Sequence, residues 1–190
     1  ISERMASSVL LSRSPRVRLF RSFLTATECA ALRSLAAPHL NPVEIHNEFD
    51  ASATRRTAAG AWLPRSDAAD AGLWHSLGVS EAEAALVAAV EQRIAKAAKI
   101  PIANGEPSQI IKYSVGNEYT WHPDFLDPYD SEELANGGQR AATFLVYLST
   151  LPKGAGGRTM FACSSSGGPL RVRPRAGDAI LWHNLRPDGK

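Results

Sequence analysis

His122 and Asp124 are the residues whose types and spacing bear most directly on chemistry. Two positions apart, they leave the same face of an extended segment. An imidazole and a carboxylate converging on one point make two-thirds of the facial triad that holds non-haem Fe(II) while leaving positions open for reactants. The same two residues also describe a histidine hydrogen-bonded to its carboxylate on a surface turn. Taken alone, His-x-Asp leaves both readings open.

Other residues with chemical potential are less pointed. Arg171, Arg173 and Arg175 recur with period two and would share one strand face. With a net charge of only +2, a solvated outer face fits them better than a phosphate-binding stripe. Asp127, Asp130, Glu132 and Glu133 follow the His-Asp pair in a Pro- and Gly-bounded loop, either solvated or forming a lid. No phosphate-cradling Gly-x-x-x-x-Gly-Lys and no Gly-x-Ser-x-Gly nucleophile turn is present.

The elements that must position these residues can be read from the rest of the chain. Its 190 residues predict a single domain spanning 1–190, and 44% hydrophobic with 21% charged residues is an ordinary globular balance. Lys and Arg number 21 against 19 Asp and Glu, which gives no bulk charge to attract nucleic acid or a membrane surface. No apolar run approaches the roughly 18 residues of a membrane helix. The triplet Val9-Leu10-Leu11, set among Arg4, Arg13, Arg16, Arg18 and Arg21, is too short for a signal-peptide core, so no targeting segment is expected in this chain. Cys29 and Cys163 exclude a disulfide framework or a Cys-rich zinc module, and whether they pair stays open.

Thr25-x-x-Glu28 is a capping box that opens a helix running through Ala30, Ala31, Leu32 and Leu35 to Pro38. Ser80-x-x-Glu83 opens a second, with Leu86, Val87, Val90 and Ile94 as its apolar stripe and Pro101 beyond its end. The pattern then changes to short β-branched and aromatic runs at 109–113, 143–148, 170–172 and 179–182, separated by Gly-, Pro- and Ser-rich clusters. Helices first and strands later predict an α+β fold, with an antiparallel sandwich or jelly roll in the second half. The patch Ser164-Ser165-Ser166-Gly167-Gly168 predicts a flexible surface loop.

Around the His-Asp pair lies Tyr113-x-x-Gly116-x-x-Tyr119-x-x-His122-x-Asp124-Phe125. It is followed by Gly137-Gly138-Gln139-Arg140-Ala141-Ala142-Thr143, Gly156-Gly157-Arg158-Thr159 and Val172-Arg-Pro174-Arg175-Ala-Gly177-Asp178. Arg56-Thr57-Ala58-x-Gly60-x-Trp62 precedes it. In this order the blocks resemble the prolyl 4-hydroxylases of the plant and algal type, which are Fe(II)- and 2-oxoglutarate-dependent dioxygenases. The resemblance runs from about Ser14 to Lys190.

The resemblance implies a double-stranded β-helix (a jelly roll) backed by N-terminal helices. It implies that His122 and Asp124 are catalytic iron ligands, and that Tyr113 and Thr159 hold the distal carboxylate of 2-oxoglutarate. Arg56, Tyr119 and Arg140 match positions lining the groove of a Pro-rich peptide or protein substrate. The implied reaction is 4-hydroxylation of peptidyl proline with O2, yielding succinate and CO2, with ascorbate restoring oxidised iron. It also implies a place in the endoplasmic reticulum or secretory pathway. Read from the residues alone, Tyr113 and Thr159 are equally ordinary strand residues, and Arg56 and Arg140 ordinary loop residues.

Three departures from the family pattern stand out. The family's third iron ligand, a His in a Ser-Leu-His type segment, and its oxo-acid-binding Lys lie downstream of the segment matched here by 185–189. The sequence given ends at Lys190, so the C-terminal strands and these two groups are expected to be missing from it. His183 aligns with a position that is not a ligand and reads as a histidine at a strand end. Ala58 replaces a usual Ser and Arg158 a usual Glu, which bears on substrate identity. A hydroxylase-derived domain without catalysis, serving as a peptide-binding or structural subunit, is the alternative, and a hydroxylase of a residue other than proline a third possibility.

Overall fold

The computed structural model of the chain describes residues 7–47, 50–66, 74, 76–126, 134–135 and 137–185. Arg4, the acidic residues Asp127, Asp130, Glu132 and Glu133, and positions 186–190 lie outside them. Two compact units result: residues 1–29 with 122–190, and residues 30–121.

The first unit is built on a four-stranded antiparallel sheet of order β1-β2-β9-β6. Its strands are β1 (Ser8–Arg13), β2 (Arg16–Phe20), β6 (Ala142–Val146) and β9 (Ala179–His183). Strand β9 pairs Trp182 with Val17 and Thr143, and Ile180 with Leu19 and Leu145. Two short strands, β7 (Thr159–Phe161) and β8 (Leu170–Val172), form a separate ladder. Leu19, Ile180, Tyr147 and Val172 are buried against one another, with Leu145, Phe161, Leu170 and Trp182 packed around them. One face of the large sheet therefore meets the small ladder, and the ring of Trp182 meets Phe161 edge-on. The opposite face carries Phe144, which packs with Phe20 and Phe23. These antiparallel layers are the sandwich expected of the second half.

The first half carries strands beside the two expected helices. Strands β1 and β2 lie there, and the arginines at 16 and 18 are the outward members of an alternation whose inward members, Val17 and Leu19, are buried. The serine-rich patch is also not free. Ser165 donates its backbone N–H to Ser12 Oγ (3.0 Å) and accepts the Arg13 N–H on its own hydroxyl (3.0 Å).

A corner at Gly177-Asp178 joins the sheet to the N-terminal segment. Leu24 N–H bonds to Gly177 C=O, Gly177 N–H to Tyr147 C=O, and Tyr147 N–H to Asp178 C=O. The buried Asp178 carboxylate receives the Arg21 guanidinium and the Ser22 N–H.

The second unit holds a three-stranded antiparallel sheet of β3 (Asn41–Asn47), β4 (Asp50–Leu63) and β5 (Ser108–Lys112). Helix α2 (Glu81–Ala98) belongs to it, with both arms of the Ser80/Glu83 capping box formed and Lys99 closing it at φ 59. Val87 and Val90 are its buried residues. Helix α1 (Ala26–Ala36) begins at the expected Thr25/Glu28 box and passes into a 3-10 turn at Ala37–His39. Cys29 is buried and Cys163 exposed, and the two thiols are not bonded to each other.

Gly177 has φ 84, and a Cβ there would press on the Leu24 carbonyl oxygen. Gly177→Ala is expected to lower unfolding free energy by about 2 kcal/mol or more. Gly154→Ala, at φ 91 with open space around it, should cost only about 1 kcal/mol. Urea midpoints at unchanged m-value check this, and equal losses at both sites would contradict the role of the corner.

Candidate metal centre

The segment carrying His122 and Asp124 is a loop rather than a strand, yet the two side chains meet. His122 Nε2 lies 3.2 Å from Asp124 Oδ1, and both side chains keep about a fifth of their surface exposed. The other carboxylate oxygen, Oδ2, accepts the hydroxyl of Thr143 at 2.6 Å. Asn184 Nδ2 donates to Thr143 Oγ1 (3.1 Å) and to the Arg140 carbonyl (3.0 Å).

Burial opposes ionisation of Asp124. Hydrogen bonds from His122 and Thr143, with the charges of His122 and Arg140, outweigh it and hold the carboxyl below its usual range. Behind the pair, Gln139 grips the backbone of Leu126 as a strand neighbour would. Its Oε1 accepts the Leu126 and Arg140 N–H groups, and its Nε2 donates to the Leu126 carbonyl (2.9 Å). The loop beyond Asp124 is thus tied to the entrance of β6.

An imidazole nitrogen and a carboxylate oxygen 3.2 Å apart suit two neighbouring positions on an octahedral divalent ion. No third His, Cys, Asp or Glu completes a metal-sized group with them among the described residues. His183 does not. It pairs with Ala142 on β6, so its side chain leaves the sheet on the face opposite Thr143 and Asp124. Its Nδ1 is buried without a hydrogen-bond partner among the described residues. The expectation of a histidine at a strand end agrees with this placement.

The residues matched to the oxo acid and the peptide fall into two groups. Thr159, on β7, accepts the phenol of Tyr147 at 2.8 Å within the sandwich. In the second unit, the Arg56 guanidinium sits 4.0 Å over the Tyr119 ring, and the backbones of the two residues pair. Tyr113 joins them. Burial raises its phenol, while the Arg56 charge and hydrogen bond oppose that and Tyr119 adds to it. Arg140 is in the first unit, close enough for its charge to act on Asp124. The arginine stripe does not hold as one surface, because Arg173 is half-buried and donates to the Leu151 carbonyl (2.7 Å), whereas Arg171 and Arg175 are exposed.

Sequence reasoning missed Thr143, Tyr147, Gln139 and Asn184. A signal for the first two existed: on the inward positions 143 and 145 of β6 and 147 just past its end, only Leu145 is apolar without a hydroxyl. Gln139 and Asn184 lie in turns, where amide residues are common for local reasons.

Burial, reinforced by the Asp178 charge and opposed by the Thr159 hydrogen bond, pushes the Tyr147 phenol up to about 12. The unfolded chain ionises first, near the ordinary value of ~10, so stability present below that value falls as pH rises towards ~12. The loss should be on the order of 2–3 kcal/mol. Tyr147→Phe should flatten the slope in urea midpoints taken across that range, and an undiminished slope would show that Tyr147 does not carry it.

Comparisons with known proteins bear on this geometry. Residues 108–188 match the family model described as the 2OG-Fe(II) oxygenase superfamily. The chain is 31% identical over 198 residues to probable prolyl 4-hydroxylase 10 of Arabidopsis thaliana, covering 94% of this chain and 61% of that protein. It is 34% identical over 200 residues to prolyl 4-hydroxylase 5 of the same plant, with 94% and 61% coverage. It thus spans about three-fifths of the length of these curated relatives. A crystal structure of a Pseudomonas putida prolyl-4-hydroxylase matches the fold at a TM-score of 0.52 and 19% identity, over 88% of this chain and 79% of that one. Part of the chain thus matches the 2OG-Fe(II) oxygenase superfamily model, and nearly its whole length is similar to prolyl 4-hydroxylases.

Proposed function

We propose that the chain carries the iron- and substrate-handling core of a peptidyl-proline 4-hydroxylase. The observation that carries the reading is the convergence of His122 Nε2 and Asp124 Oδ1 at 3.2 Å, with the remaining carboxylate oxygen already engaged by Thr143. The similarity to prolyl 4-hydroxylases supports it. Fe(II) with 2-oxoglutarate, when bound, supplies the O2 chemistry that yields succinate and CO2 and places one oxygen atom on proline, with ascorbate keeping the iron reduced.

The chain's own residues hold and orient. His122 and Asp124 take two ligand positions, and the lowered carboxyl of Asp124 keeps it an anion over the working pH range. Thr159, oriented by the Tyr147 phenol, offers a hydroxyl to the distal carboxylate of the oxo acid. Tyr113, in the second unit, is assigned to the oxo acid on the resemblance alone. Arg56 stacked on Tyr119 makes a rigid, amphipathic surface suited to a polyproline-II segment, whose rings pack on an aromatic face and whose carbonyls accept from a guanidinium. Arg140, in the first unit, is assigned to the peptide on the resemblance alone. The third iron ligand and the cationic oxo-acid anchor are expected downstream of 185–189.

Succinate release with a Pro-rich peptide tests the reading, in the chain with whatever sequence naturally follows Lys190. His122→Ala and Asp124→Ala should each reduce turnover to background, and retained turnover in either would refute the assignment. Tyr119→Ala should raise KM for the peptide about tenfold, consistent with losing ~1–2 kcal/mol of stacking, with little change in KM for 2-oxoglutarate. Equal rises in both would place Tyr119 outside the peptide surface.

A further inference from the structure

The geometry points to Thr143 and Asn184 as positioning residues that hold Asp124 to metal coordination through a single oxygen. The inference rests on the proposed metal role of His122 and Asp124.

The hydrogen bonds run in one direction. The Arg140 carbonyl can only accept, so the Asn184 side-chain nitrogen must face it, at 3.0 Å. The same nitrogen reaches Thr143 Oγ1 at 3.1 Å and occupies a lone pair there. The Thr143 hydroxyl has one proton to give. Asn184 Oδ1 is a poor recipient at 3.5 Å, whereas Asp124 Oδ2 lies at 2.6 Å. The proton is therefore committed to Asp124, in a short charge-assisted bond.

The effect on the carboxylate is selective. Oδ1 faces the imidazole, while Oδ2 is occupied from the β6 side. A carboxylate free at both oxygens readily binds a cation with both. Chelation by Asp124 would consume a coordination position that an oxo acid and O2 must share. Thr143 withholds Oδ2, and Asn184 keeps Thr143 pointed at it. Outer hydrogen bonds commonly orient metal ligands in this way.

Mn(II), a redox-stable stand-in for Fe(II), provides the test in the chain together with whatever sequence naturally follows Lys190. Electron paramagnetic resonance counts bound ion, and solvent-proton relaxation counts exchangeable water per bound ion. Thr143→Val keeps the shape and removes the hydroxyl. Relaxation enhancement per bound Mn(II) should fall by about a quarter to a third, as a second carboxylate oxygen displaces water. Thr143→Ser should restore it, and Asn184→Leu should move it in the same direction as Val by a smaller amount. Thermal melting of the metal-free variants, unchanged within a few degrees, separates this from a folding defect. Unchanged enhancement in both Thr143→Val and Asn184→Leu overturns the proposal, as does failure of Ser to restore it. If the parent chain holds no Mn(II) that His122→Ala releases, the metal reading and this inference fall together; if it does and Val behaves as the parent, only this inference falls.

Discussion

An ionised carboxylate with most of its surface covered must be given partners, and the first unit is arranged around meeting that demand at Asp124. The loop that carries it forms no ladder of its own. Its position comes from outside, through Thr143 on β6, Asn184 just past β9 and the Gln139 amide at Leu126. Two strands far apart in sequence thus fix one side chain, and the pairing of β6 with β9 sets their spacing. A one-residue slip in that register would send Thr143 to the other face and strip the carboxylate of its Oδ2 partner.

The same register divides the sheet chemically. Along β6 and the residue after it, positions 143, 145 and 147 turn towards the small ladder and place a hydroxyl at each end of an apolar centre. Phe144, between them, turns the other way into the aromatic cluster with Phe20 and Phe23. Ile180, Leu19 and Val172 exclude water from the middle of the layer. The polar ends can then be specific without weakening the core, since each hydroxyl has a named partner: Asp124 for Thr143, Thr159 for Tyr147.

Much of this was legible in the sequence, for identifiable reasons. Both long helices announce themselves by capping boxes, because such a cap is a local bargain between residues three apart. The apolar runs that become β5, β6, β8 and β9 stand out by their β-branched and aromatic content. Strand β4 does not: its residues include Ala51, Ala53, Ala58, Ala59 and Ala61, and alanine favours helix when considered alone. Only its ladders with β3 and β5 make it a strand. At the site, His122 and Asp124 were visible because two residues apart is a local relation. Asn184 and Thr143 meet across 41 positions, which no local pattern encodes. The serine-rich patch was misleading for the same reason, since its partner Ser12 lies 153 positions away.

The order β1-β2-β9-β6 also has a bearing on how the protein is made. Strand β2 sits between its hairpin partner and β9, and the Arg21–Asp178 contact that locks this seam joins residues 157 positions apart. On a ribosome the β1–β2 hairpin emerges well before β9 and must wait, one edge bare, until the segment Ala179–His183 is available to fill it. Contacts of such long sequence separation slow folding. During that wait, the apolar side of Val17 and Leu19 is the surface a chaperone would have most reason to cover.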